Sequence, residues 1–230
     1  MIARVIRRLR SAGLVVGALA VAPSPVGAQS PEAARLESVR AQVSAEVGRA
    51  LVELTAQAER RGLPTEPLLN KALEGTAKRV PSPQILTALR QVLDDLGSAQ
   101  ALLEGSAFSG PQDVAAVAVA LRRGAPPEAV RRLSLGAPVG EPIGATVHAL
   151  ADLMQRGVDD RDALRLLLTW RTQGGDAGQL RQLPAAVDLM LRQGSLPTQA
   201  AAAIEAALRA GRLPAGLGPP AGAGPPTGRP

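Results

Sequence analysis

The chain has 230 residues, 46% of them hydrophobic but only 1% aromatic, with 26 Lys+Arg against 20 Asp+Glu and a net charge of +6. The absence of cysteine excludes disulfide staples, thiol chemistry and a lipidated N-terminal cysteine. Phe108 and Trp170 are the aromatics, too few for the stacking surfaces that single-stranded nucleic acids need, so no nucleic-acid partner is expected.

The N-terminus opens with Arg4, Arg7, Arg8 and Arg10, continues with an apolar run from Ala12 to Ala22, and ends in Val26-Gly27-Ala28. A basic end, a short apolar core and small residues before the break form the pattern of a bacterial export leader. Residues 1–28 are therefore expected to be a cleavable signal peptide. Their apolar run is too short to span a bilayer at about 20 residues, so no stable membrane span is expected after cleavage. Cleavage removes four arginines and no acid, leaving 22 Lys+Arg against 20 Asp+Glu, nearly balanced. The expected location is the periplasm or the extracellular space.

Residues 29–210 are expected to form an all-α domain. Thr65 stands where it can cap a helix from Glu66, with Pro67 in the first turn. Leu68, Leu69, Ala72, Leu73, Ala77 and Val80 then keep helical spacing through Gly75. A mid-helix glycine costs about 1 kcal/mol against alanine, so close approach of a neighbouring helix backbone is its expected compensation. Lys71, Glu74 and Lys78 share one face at i+3 and i+4, the spacing of a solvated salt-bridge row. Asn70, the sole Asn, adjoins that row.

Ser82-Pro83 reads as a cap with proline at the first helical position, starting a helix striped by Ile85, Leu86, Leu89, Val92, Leu93 and Leu96. Asp94-Asp95 falls off that stripe, near the expected helix end. Further stripes are Ile143, Val147, Leu150, Ala151 and Met154; Leu164, Leu167 and Leu168; Val187, Met190 and Leu191; and Ile204, Ala207 and Leu208. Asp159 with Asp162, and Asp176 with Gln179, resemble capping boxes. The helix from Leu164 to Trp170 is apolar nearly all round and needs cover.

Helix ends repeat one phrase: "ERRGLP", "LRRGAP", "MQRGVD", "LRQGSLP" and "LRAGRLP", with glycines at 62, 124, 157, 194 and 211. A cation near the negative helix end, a glycine for the left-handed turn, and Pro or Asp to start the next element are helix stop signals. The spacing suggests a loose unit of helix-hairpin size. The predicted architecture is an array of short amphipathic helices, an irregular α-solenoid or a layered helical bundle, with disordered ends. Residues 211–230, almost all Gly, Pro and Ala, form the predicted disordered tail.

Chemistry is sparse. His148 has Asp152 at i+4, a poor set for zinc without cysteine or a second histidine. There is no G-x-S-x-G elbow, no phosphate-cradling glycine loop, and no metal or cofactor motif. The expectation is a non-enzymatic, exported helical scaffold without cofactor, whose partner is another envelope or secreted protein. Candidate interaction residues are Asn70, Lys71, Lys78 and Trp170. The second expectation is a carrier of an apolar small molecule, held in a groove between helices near residues 143–170.

Overall fold

The computed structural model describes residues 30–135, 142–175 and 177–212, and among these every regular element is a helix. The order is α1 (Pro31–Arg40), α2 (Ala45–Arg60), α3 (Glu66–Ala77), α4 (Ser82–Leu103), α5 (Pro111–Arg122), α6 (Pro127–Leu135), α7 (Gly144–Gln155), α8 (Asp160–Thr172), α9 (Ala177–Leu180), α10 (Leu183–Arg192) and α11 (Pro197–Arg209). The expected leader at 1–28, most of the expected tail (213–230), and Asp176 of the second expected capping box lie outside the described residues.

Helices pack on neighbours in chain order. α1 lies on α2 and α3, and α2 and α3 both lie on α4; α4 carries α5; α5 carries α7; α7 carries α8 and α10; and α11 closes on α8 and α10. Every principal contact joins elements no more than three apart in the chain. That is the contact pattern of a quasi-one-dimensional helical array. One continuous apolar core runs through it from Val39 to Leu208.

The glycine-marked ends share one geometry. Gly62, Gly124, Gly157, Gly194 and Gly211 all take positive φ, and so do Gly105 and Gly174, which the repeated phrase did not mark. At Gly157 the glycine N–H donates to Met154 O at 2.9 Å, and Val158 N–H reaches back to Leu153 O at 3.2 Å. The same pair of bonds closes α2 at Gly62, α5 at Gly124, α8 at Gly174, α10 at Gly194 and α11 at Gly211. These bonds occupy carbonyls that a helix C-terminus otherwise leaves bare. Gly174 completes the period: an interval of 37 separates Gly157 from Gly194 and Gly174 from Gly211. The 17-residue step from Gly194 to Gly211, which looks like half a unit in the sequence, recurs from Gly157 to Gly174 and is the step within a unit.

Several local expectations change. α3 runs unbroken through a buried Gly75, but what approaches the glycine is a side chain, not backbone: a Cβ there would lie 2.7 Å from Ile85 Cγ1 on α4. Thr65 makes no side-chain cap bond. Ser82 is the first residue of α4, and its hydroxyl meets that of Ser44 at 3.0 Å. The side-chain caps form instead at Ser30, at Ser44 and, as expected, at Asp159. Asp162 does not complete a box, because its carboxylate pairs with Arg165. α4 continues past Leu96 to Leu103, placing Asp94-Asp95 inside the helix rather than near its end. Gly97 permits that continuation under a neighbour: the Arg61 guanidinium covers it so closely that a Cβ could not be accommodated without moving it.

Candidate functional site

α3 and α5 both pack against α4 and leave a groove between them of about 290 Å³. Its apolar lining is Val92 and Leu96 from α4, Ala115, Ala118 and Val119 from α5, and Pro67 from α3. Asn70 and Lys71, two of the residues singled out from sequence, stand on its rim with Glu74, opposite Arg122. Val119, at the edge of this floor, is 40% exposed.

The cations of this rim are already paired. Lys71 Nζ donates to Glu74 Oε2 at 3.0 Å and Lys78 Nζ to Glu74 Oε1 at 2.6 Å, the solvated row expected from sequence. Hydrogen bonds from Lys78 and Lys71, with their charges, hold the Glu74 carboxyl down at about 2. Both pairs are water-exposed, so each is worth only a few tenths of a kcal/mol. Lys78 stands outside the groove lining. Across the groove, Arg122 Nε donates to Asp95 Oδ2 at 2.8 Å, and Asp95 also accepts from Gln91. The result is an apolar channel with ion-paired walls, suited to an apolar side-chain row with polar flanks.

Trp170 does not join this groove. It lies on α8, only 2% exposed, among fully buried side chains. Its indole N–H is buried without a hydrogen-bond partner and lies beneath Gly175, where a Cβ would come 2.3 Å from Nε1. A small cavity of about 170 Å³ adjoins it, lined by Gln173, Gln179 and Leu208 among others. The inward faces of α7 and α8 are solid core: Ile143, Val147, Leu150, Leu166 and Leu167 are all buried.

The groove near residues 143–170 lies instead on the outer side of α8, against α6, with a volume of about 430 Å³. Leu164 and Leu168 form its apolar part, and Arg132, Arg161, Arg165, Thr169 and Thr172 its polar part. Composition gave no hint of these arginines, since the three come from two helices distant in sequence. Behind them sits Glu205 of α11, 6% exposed. It accepts from Arg165 Nε at 3.0 Å, from Thr169 Oγ1 at 3.2 Å and from Arg209 at 2.5 Å. The Glu205 carboxylate holds the Arg165 guanidinium above its ordinary value.

His148 is half-buried on α7, one position off the apolar stripe. Burial, then the nearby Arg123 charge, push its imidazole below the ordinary value, and Asp152 opposes them weakly. Asp152 itself is paired with Arg123. Among the described residues, no three His, Asp or Glu side chains gather as metal ligands. No described helix is long and apolar enough to cross a membrane.

Comparison with known proteins adds no name to this arrangement: no family model matches the chain, no curated protein is similar to it, and no solved structure matches it.

Proposed function

We propose that this chain is an exported, non-enzymatic helical scaffold that binds another envelope or secreted protein in the groove between α3 and α5. The observation that supports this is the exposed Val119 set beside Val92 and Leu96 in an open apolar channel, with Asn70, Lys71 and Arg122 on its walls. A concave groove with an apolar floor and polar walls can receive an apolar side chain of a partner. The fitting partner is an amphipathic helix, its apolar row in the channel and its polar edges against Asn70 and the two ion-paired walls. The leader sequence supports the location.

The test places a photoreactive side chain at position 119 of the full chain and irradiates intact cells. A specific protein adduct, lost when Leu96→Arg disrupts the channel floor, is the expected result. Adducts from position 119 no more frequent than from exposed Arg90 on the same array would remove the assignment.

The outer groove of α8 favours a second reading, a carrier. Leu164 and Leu168 beside Arg161 and Thr172 suit an apolar molecule with an anionic end, while Arg165 and Arg132 are already paired with acids of the chain. Native mass spectrometry with a long-chain carboxylate tests it. Binding that is abolished by Arg161→Ala together with Leu168→Asp supports the carrier, and binding unaffected by that pair rejects it.

A further inference from the structure

The C-terminal ends of α8 and α11 meet at a cavity of about 170 Å³, lined by the glycines that close both helices, Gly174 and Gly211. Exposed groups, Gln173 and Arg212 among them, form its mouth, and buried Trp170 and Leu208 form its floor. It shares no lining residue with the α3–α5 groove or with the outer groove of α8.

The floor holds an unmet polar group. Trp170 is 2% exposed, and its indole Nε1 has no hydrogen-bond partner among the described residues. A buried donor left unpaired is costly, so an acceptor that reaches it gains more than one bonding to an exposed group. What covers this donor is Gly175, where a Cβ would lie 2.3 Å from Nε1. Gly175 has no side chain and follows Gly174, whose φ is 72°, so two successive glycines form the cover. A small displacement of that turn opens the indole N–H to the cavity, while Gly174 N–H keeps its bond to Arg171 O.

The remaining walls set the chemistry of an occupant. Gln173 and Gln179 line the cavity, and a side-chain amide offers both donors and an acceptor. The ends of two helices carry partial negative charge, which disfavours an anion there. Arg212 is exposed, so water screens what it could offer in return. A neutral group with a carbonyl for the indole and an N–H for a glutamine oxygen meets these walls best. Size sets the rest: a cavity of about 150 Å³ holds one benzene ring, and this one is slightly larger.

We propose that this cavity binds a small neutral carboxamide, about one ring in size, whose carbonyl accepts from Trp170 Nε1 and whose apolar part lies on Leu208. The site goes beyond the scaffold reading and is independent of any partner in the α3–α5 groove.

Benzamide is the probe. The full chain labelled with nitrogen-15 gives one indole N–H resonance, because Trp170 is the sole tryptophan. Saturable downfield movement of that resonance is expected, with a dissociation constant of about 10 mM or tighter. Toluene, which lacks the carbonyl, and benzoate, which is anionic, are expected to bind about fivefold more weakly or worse. Trp170→Phe keeps a ring and removes the donor. Saturation transfer to the benzamide protons should then report binding about fivefold weaker. Gln179→Ala, outside the buried core, is expected to weaken benzamide as well and covers the case of a Trp170→Phe chain that does not fold. An indole resonance that benzamide leaves unmoved overturns the proposal, as does toluene or benzoate binding as tightly as benzamide. Wild-type affinity in either variant, when folded, also overturns it.

Discussion

Arg165 on α8 donates through Nε to Glu205 on α11 at 3.0 Å, tying the last helix to the array across 40 residues of sequence. Thr169 and Arg209 complete the carboxylate's partners. Replacing Glu205 with alanine leaves Thr169 without its acceptor and two arginines without a buried counter-charge. The arginines remain largely in water, so the loss is expected to be about 2 kcal/mol rather than the larger cost of a wholly buried pair. Hydrogen exchange should rise first in α11. Unchanged α11 protection in Glu205→Ala would show that apolar packing alone holds this helix.

Gly75→Ala pits helix propensity against space. Alanine gains about 1 kcal/mol as a helix residue, but its methyl would lie 2.7 Å from Ile85 Cγ1. Overpacking costs about 1–3 kcal/mol, so the single variant is expected to be neutral or destabilised. Adding Ile85→Ala removes the obstacle and leaves room that the new methyl partly fills. A double-mutant cycle read from urea midpoints should show favourable coupling of at least 0.5 kcal/mol or so. Strict additivity would count against the contact.

Arg79 is the described non-glycine residue with positive φ, at 55°, and it ends α3 with the same two bonds that glycines make elsewhere. A side chain in that conformation is strained by about 1 kcal/mol. Arg79→Gly is therefore expected to raise the melting temperature, whereas Arg79→Val should lower it. A lower melting temperature for the glycine variant would refute the strain.

Trp170 and Gly175 give an optical test. A Cβ on Gly175 would come 2.2 Å from Trp170 Cε2, so Gly175→Ala must move the ring. The expected result is a loss of about 1–3 kcal/mol with a red-shifted emission from the sole tryptophan. Unchanged emission would mean that the loop yields instead of the indole.

His148 predicts a pH slope. Its folded value is lowered, chiefly by burial and then by Arg123. The unfolded chain, with an imidazole near the ordinary 6.5, therefore takes up the proton first as pH falls. Stability is full above the unfolded value and declines as pH drops from there toward the folded value. Between about pH 7.5 and about pH 5 the melting temperature should fall, and His148→Gln should flatten that part of the decline. An equal fall in the variant would assign the slope to carboxylates.

Helix content and helix stops were legible in the sequence because both depend on neighbours along the chain. Leu89, Leu96, Val147 and Ile204 declare the core by spacing, and Gly62 or Gly157 declares an end by chemistry. The array's period was half-hidden, since Gly174 follows a polar run instead of the recurrent phrase. Asn70 and Lys71 stand out by residue type, yet only the placement of α5 beside α3 turns them into a groove wall. Trp170 stands on a helix whose all-round apolar sequence already asks for cover, and α11 supplies it, so its place among the candidate interaction residues gives way to a place in the core. Arg132 and Arg161 are ordinary surface cations until folding sets them beside one groove.

Identical turns at Gly157 and Gly194 make residues 158–194 a cassette whose two joints have the same shape. Tandem duplication of that stretch would extend the molecule by one step while leaving both termini as they are. Excising it would instead strand the α7 surface on which α10 sits, so lengthening by copying is gentler than shortening by loss.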